Sequence, residues 1–182
     1  QCIRYYLHNM KFIECNFRII IRNFEKIKIN SQDVRSGDVF VALEGGKKHG
    51  STYIKDALKR GAKYIITDKT IFSNLINSKI TIVKNQIFFL LKIAIIKRKL
   101  FKGKVVGITG SIGKTSVKEN LKYFLSSEFE ISASIKSYNN YLGVIISLLN
   151  LNLKSEFAIF ELGINNFSEI QNLTSLVLPS QV

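Results

Sequence analysis

Residues 107–115 read GITGSIGKT, and we interpret them as a phosphate-binding loop of the Gly-x-x-x-x-Gly-Lys-Thr class. An apolar run, Val105 and Val106, precedes them, and a helix-like stretch, Ser116 to Ser126, follows. Glycines let the backbone aim N–H groups at phosphate oxygens, and the start of a helix adds a favourable dipole. The pattern therefore predicts binding of a nucleoside triphosphate; a glycine-rich turn without a ligand is the alternative.

In such a loop, each polar residue has a defined task. Lys114 is expected to reach the outer phosphates of ATP, and the Thr115 hydroxyl is expected to hold Mg²⁺. ATP and Mg²⁺ are thus the predicted cofactors. The predicted nucleotide-binding residues are Gly110, Ser111, Gly113, Lys114, Thr115 and Ser116.

A second acidic ligand for the metal usually comes from the end of a neighbouring strand. Glu161 ends the apolar run that starts at Phe157, and burying it unpaired would be costly, so we predict that it meets the metal. Simple solvation at a strand end is the alternative. Asn139 and Asn140 lie between a predicted strand and a predicted helix. Their amides could donate to phosphate or carboxylate oxygens, or they could cap the helix.

The chain is strongly basic, with 27 Lys and Arg against 13 Asp and Glu, and a formal net charge of +14. A basic cluster, residues 97–104, comes directly before the loop. It reads either as a solvated linker or as a patch that attracts anionic ligands such as nucleotides. No nucleic-acid-binding module accompanies it, so no nucleic-acid partner is expected.

Composition also limits the other classes. Cys2 and Cys15 are too few for a disulfide scaffold, and His8 and His49 are isolated, so zinc is not expected. The longest apolar stretch, Ile87 to Ile96, is interrupted by Lys92 and is too short to span a bilayer. With no recognisable leader, we expect a cytoplasmic protein without membrane insertion.

Strand-like and helix-like segments alternate along the chain, which predicts an α/β fold with parallel sheets. We place a small α/β domain at residues 1–103 and a P-loop parallel-sheet ATP-binding domain at 104–182. Because the chain ends where a further strand should begin, we expect this second domain to be truncated. In the long helix predicted before the boundary, Ile87, Leu90, Leu91 and Ile95 are expected to form the buried face. The predicted strands are 18–22, 26–29, 38–43, 63–67, 79–83, 105–109, 129–134 and 157–162, and the predicted helices are 53–60, 85–100, 114–126, 141–149 and 168–175.

Several segments together resemble the Mur ligase family. The loop and its continuation to Glu119, the segment from Asn139 to Val144, and the segment from Ala158 to Gly163 are similar to the family's ATP-binding domain. Residues 31–43, with Gly45, Gly50 and 56–62, resemble its N-terminal substrate domain. Within the family, the similarity is greatest to the member that adds D-alanyl-D-alanine.

The resemblance implies ATP-dependent amide synthesis in peptidoglycan assembly. The γ-phosphoryl group would pass to the carboxylate of UDP-N-acetylmuramoyl-tripeptide, and the amine of D-alanyl-D-alanine would attack the resulting acyl phosphate. The resemblance implies Lys114, Asn140 and Glu161 as catalytic residues, Thr115 and Glu161 as metal ligands, and Ser31 and Asn140 as substrate-binding residues. It also implies a monomer whose third, amine-binding domain lies beyond Val182.

The chain departs from the family pattern at a few positions. It has Gln32 where Arg is usual, His49 where an acidic residue is usual, and Ser51 where His is usual. Two other interpretations stay open. The first is a truncated, inactive remnant that at most binds nucleotide, and the second is a different phosphate-loop enzyme, such as a folate-polyglutamate ligase or a small kinase.

Overall fold

The computed structural model describes residues 27–45, 48–68, 80–135, 138–163 and 167–182. The chain folds into two compact units, Gln1–Gln86 and Ile87–Val182, and each is described by itself. The strand predicted at 18–22 lies outside the described residues, as do Cys2, His8 and Cys15.

The first unit contains a four-stranded parallel sheet in the order β1-β2-β3-β4. A short helix, α1 (Ile54–Lys59), connects β2 to β3 and covers the sheet with the apolar side chains of Ile54 and Ala57. Because β2 and β3 are buried on both faces, their sequences are almost continuously apolar, as is typical of parallel sheets. The strands are β1 (Ile27–Lys28), β2 (Val39–Val41), β3 (Tyr64–Thr67) and β4 (Ile80–Ile82).

The second unit contains a three-stranded parallel sheet in the order β5-β7-β6, so the predicted parallel α/β class is confirmed. Its central strand, β7, pairs with both neighbours and is buried from Ala158 onward. The strands are β5 (Lys104–Ile108), β6 (Ile131–Ala133) and β7 (Phe157–Glu161), and the helices are α2 (Gln86–Leu100), α3 (Lys114–Leu125), α4 (Tyr141–Leu149) and α5 (Phe167–Val177).

The edge of β5 that faces away from β7 is also partly paired. Gln181 forms a parallel bridge with Val106, and its carbonyl accepts a hydrogen bond from the Gly107 N–H at 2.9 Å. The Ser180 N–H donates to the Val105 carbonyl at 2.7 Å. Strand β5, which leads into the phosphate loop, is therefore held from both sides at its centre.

The end of α2 is anchored within the second unit. The Nζ of Lys97, which is fully buried, donates to the carbonyl of Leu149 at the end of α4 at 2.6 Å. Arg98 donates to the carbonyl of Leu178 at 2.7 Å. The interpretation of the whole basic cluster as a solvated linker was therefore wrong. Lys97 and Arg98 donate hydrogen bonds to backbone carbonyls at the end of α4 and just after α5. The domain boundary predicted near residue 103 stays a prediction.

The buried face of α2 also differs from the predicted one. Ile87 is exposed, whereas Phe89, Leu90, Ile93 and Ala94 are buried. Most of this helix is apolar around its whole circumference, so the spacing of apolar residues does not mark one face. Among the described residues, no helix combines the length and the apolar character needed to cross a membrane.

A polar contact joins two turns of the first unit. Ser31 begins a 3-10 helix, Ser31–Asp33, and its buried hydroxyl donates to the carboxylate of Asp56 in the first turn of α1. This hydrogen bond, together with the adjacent Arg60 guanidinium, keeps the pKa of Asp56 below its ordinary value. Since hydrogen bonds to the charged form favour it, the contact stabilises the fold above the ordinary pKa of a carboxyl group, and that gain is lost as the pH falls through the lowered pKa.

We predict that Ser31→Ala raises the pKa of Asp56 towards its ordinary value, because the hydroxyl is the largest cause of the shift. The side-chain carboxyl carbon of Asp56, followed by NMR during a pH titration, measures this. Thr52→Ala is the matched control, because that exposed hydroxyl donates to the His49 carbonyl instead. An unchanged pKa in Ser31→Ala would contradict the assigned contact.

The core of the second unit depends on β7. We predict that Ile159→Ala lowers the free energy of unfolding of this unit by about 2–5 kcal/mol, because it leaves a cavity in the central strand. Urea denaturation, with hydrogen exchange of the β7 amides, measures the loss. Ile87→Ala, at a position 43% exposed, should change it by less than about 0.5 kcal/mol. Equal losses in the two variants would refute the burial argument.

Candidate functional site

The predicted phosphate loop connects β5 to α3, and its backbone conformation depends on glycine. Gly113 has φ of +81° and Gly110 has φ of +142°. A Cβ atom added to either residue would meet no other atom within 4 Å, so packing does not require glycine there. The requirement is conformational, because side-chain-bearing residues rarely adopt these angles. No side chain caps α3 at Gly113, so the start of the helix can face an anion.

The first glycine of the predicted motif is not part of this loop. Gly107 lies inside β5, and five residues, rather than the four of the motif, separate it from Gly113. A Cβ atom at Gly107 would lie 3.1 Å from Cδ1 of Leu162, so tight packing between the strand and the segment after β7 explains this glycine. The loop proper consists of residues 109–113.

The Lys114 side chain folds back over the loop. Its Nζ donates to the carbonyl of Gly110 at 2.7 Å and lies 3.4 Å from that of Ser111. The Ser111 and Ser116 side chains are exposed, and Ile112 at the tip of the loop is 94% exposed. The ammonium group thus lies among loop atoms, where an anion bound by the loop amides would meet it.

The carboxylate of Glu161 forms the centre of the site. Glu161 is the last residue of β7 and is only 1% exposed. Its Oε2 accepts a hydrogen bond from Oγ1 of Thr115 at 2.8 Å, and its Oε1 accepts one from Nδ2 of Asn139 at 2.9 Å. Sequence reasoning paired Thr115 with Glu161, and the structure brings them together.

These groups fit a hard divalent cation. The Thr115 hydroxyl and the Glu161 carboxylate are oxygen donors, which Mg²⁺ prefers. Within the described part of the chain, no group of three or more His, Cys, Asp or Glu residues could hold a metal. A magnesium site of the nucleotide type uses one or two protein ligands and completes its shell with phosphate oxygens and water.

The sequence left open whether Asn139 and Asn140 donate to an oxygen ligand or cap a helix, and in the structure each residue does one of the two. Oδ1 of Asn140 accepts from the Gly143 N–H at 2.8 Å, so Asn140 is the N-cap of α4, and its side chain is exposed. Asn139 instead donates to Glu161. The Gly163 N–H donates to the Asn139 carbonyl at 2.7 Å, and a Cβ atom at Gly163 would lie only 3.0 Å from that carbonyl oxygen. The substrate role of Asn140 stays a prediction.

Sequence reasoning missed two buried polar residues near Glu161. The Glu161 N–H donates to Oγ of Ser134 at 3.2 Å, and Nζ of Lys118 donates to the Ser134 carbonyl at 3.1 Å. One signal was available, since Lys118 follows Thr115 by three residues and so lies on the same face of α3. That the lysine is buried could not be read from the sequence, because lysine is usually exposed.

The first unit holds the remaining predicted residue, Ser31, whose hydroxyl is bound to Asp56 as described above. The same unit contains a polar cluster at the carboxyl ends of β2 and β3. Nδ1 of His49 accepts from the Ser51 N–H at 3.0 Å, and Nε2 lies 3.0 Å from Oδ1 of Asp68. His49, isolated in the sequence, therefore has polar neighbours in the fold.

Two family models match the chain. One, described as the Mur ligase middle domain, matches residues 108–182, and the other, described as Mur ligase family, catalytic domain, matches residues 23–94. Together they span most of the chain, including the phosphate loop, Glu161 and Ser31.

Curated relatives carry the name UDP-N-acetylmuramoyl-tripeptide--D-alanyl-D-alanine ligase. The chain is 42% identical to the one from Rickettsia prowazekii (strain Madrid E) over 158 residues, covering 87% of this chain and 35% of the relative. It is 30% identical to the one from Escherichia coli (strain K12) over 155 residues, covering 85% and 34%. The chain therefore spans about a third of the length of these relatives.

Solved structures give the same result. The MurF ligase from Thermotoga maritima in complex with ADP aligns with a TM-score of 0.70 and 32% identity, over 86% of this chain and 36% of that one. MurF from Acinetobacter baumannii aligns with a TM-score of 0.71 and 29% identity, over 84% and 33%. Because both parts of the chain match the family in sequence, and the fold matches at this level, the chain belongs to the Mur ligase family.

Proposed function

We propose that the second unit binds Mg²⁺-ATP, with Lys114 contacting the phosphates and with Thr115 and Glu161 holding the metal. The pairing of the Thr115 hydroxyl with the Glu161 carboxylate at 2.8 Å, next to an open glycine loop, is the observation that carries this proposal. The ADP named for the Thermotoga maritima relative supports it. Bound Mg²⁺ would supply charge neutralisation at the phosphates.

We further propose that the chain is the N-terminal part of an ATP-dependent ligase of peptidoglycan precursors. The names of the relatives support UDP-N-acetylmuramoyl-tripeptide and D-alanyl-D-alanine as its substrates. In the proposed reaction, the γ-phosphoryl group passes to the tripeptide carboxylate, and the dipeptide amine displaces phosphate from the acyl phosphate. Ser31 is proposed to contact the UDP-sugar, and Asn140 the acceptor near the phosphates. We propose that the protein acts as a monomer.

This chain contributes position and charge to the reaction. The backbone from Gly110 to Gly113 would orient the triphosphate, and the Lys114 ammonium would leave the loop carbonyls to stabilise negative charge on the outer phosphates. The buried carboxylate of Glu161 is held in place by donors from Thr115 and Asn139, and it would supply negative charge to the cation.

We predict that Lys114→Ala weakens ATP binding by roughly 10- to 100-fold, the loss expected for a hydrogen bond to a charged group. Isothermal titration calorimetry with Mg²⁺-ATP measures the loss. The fold should stay intact, because the Lys114 ammonium group donates to loop carbonyls and not to the core of the unit, and thermal unfolding checks this. Lys122→Ala, an exposed lysine on the same helix, is the matched control. Affinity retained in Lys114→Ala would count against the assigned loop.

A second candidate function is nucleotide binding without ligation. The chain spans about a third of the length of its curated relatives, and this favours the second candidate. We predict that the purified 182-residue chain binds ATP but forms no amide product from UDP-N-acetylmuramoyl-tripeptide and D-alanyl-D-alanine. Mass spectrometry of the reaction mixture measures the product, with a longer relative as the positive control. Ligated product from the chain alone would refute this candidate.

A further inference from the structure

Lys118 is a buried cation to which the proposed function assigns no role. Its side chain is 0% exposed, yet it lies on α3 three residues after Thr115. Nζ donates to the Ser134 carbonyl at 3.1 Å and lies 3.1 Å from Oε1 of Glu119. A buried ammonium group is costly without such partners, and an apolar side chain would fill the same space without that cost. The position of the charge therefore calls for an explanation.

Ser134, the acceptor of this lysine, is itself attached to Glu161. It directly follows β6, it is buried, and its N–H donates to the Ile159 carbonyl at 2.9 Å. Its Oγ accepts from the Glu161 N–H at 3.2 Å. Ser134 therefore holds the backbone of the residue whose carboxylate lies at the centre of the site.

Helix α3 thus reaches Glu161 by two routes. Thr115 holds the carboxylate directly, and Lys118 holds the backbone through Ser134. The two routes close a ring of hydrogen bonds, since Thr115 and Lys118 share one helix. Movement of Glu161 away from α3 would have to break both.

We propose that Lys118 is a positioning residue for the metal site. Its ammonium group fixes Ser134, and through it the end of β7, so that the carboxylate of Glu161 stays beside the Thr115 hydroxyl when a divalent cation binds. This inference rests on the proposed binding of Mg²⁺-nucleotide. Partners that orient metal ligands typically contribute about 10- to 100-fold to metal affinity, and a loss of that size is expected without the lysine.

The same unit offers a matched control. Lys97 is also 0% exposed and also donates to a backbone carbonyl, that of Leu149 at 2.6 Å. Its acceptor ends α4, whereas Ser134 follows β6, so Lys97 takes no part in the ring around Glu161. A merely structural loss of a buried lysine should affect both positions alike, whereas a positioning role should affect Lys118 alone.

The test measures ADP binding to the full 182-residue chain by calorimetry, with Mg²⁺ and separately with EDTA. In Lys118→Met, the gain in affinity that Mg²⁺ confers should fall by about 10- to 100-fold, while binding in EDTA stays unchanged. In Lys97→Met, the gain should persist. Thermal unfolding of both variants shows whether their stability losses are comparable.

Three results would overturn the inference. The first is an unchanged Mg²⁺ gain in Lys118→Met, and the second is an equal loss in Lys97→Met. If Lys118→Met does not fold, Ser134→Ala takes its place, because that variant removes only the hydroxyl that accepts from the Glu161 N–H. A full Mg²⁺ gain in Ser134→Ala is the third result. Absence of ADP binding by the parent chain would instead defeat the proposed function, and this inference with it.

Discussion

The carboxylate of Glu161 constrains most of the second unit. It is buried at the end of the central strand, where an unpaired carboxylate would be costly. Among the described residues, its hydrogen-bond donors come from different elements, Thr115 from α3 and Asn139 from the segment before α4. Both elements must therefore converge on the end of β7 for the charge to be tolerated. The same contacts therefore form the candidate site and hold the elements of this unit together.

The topology of the sheet makes that convergence possible. In a parallel sheet, the carboxyl ends of all strands share one edge, and ligands of such folds bind there. The order β5-β7-β6 places Glu161 between the strand that leads into the phosphate loop and the strand that Ser134 directly follows. Glycines permit the close approaches: Gly113 by its positive φ, and Gly163 by leaving room for Asn139.

The positive charge of the chain has more than one origin. Lys97 and Lys118 are buried and bind backbone carbonyls, so part of the net charge of +14 is used inside the second unit. Arg98 likewise donates to the carbonyl of Leu178, beyond the end of α5, and burial lowers its pKa. Net charge by itself therefore says little about the partner of this protein, because it does not separate structural cations from solvated ones.

The sequence predicted most elements of the described fold, because apolar runs depend on local structure. It also predicted the loop between β5 and α3 from its glycines, and the pairing of Thr115 with Glu161 from a carboxylate at the end of a strand. The tertiary structure alone decided which face of α2 is buried, since that helix is apolar nearly all round. It also decided that Asn139 binds Glu161 while Asn140 caps α4, and that Lys118 is buried. These outcomes depend on which elements pack together, and a one-dimensional pattern does not carry that information.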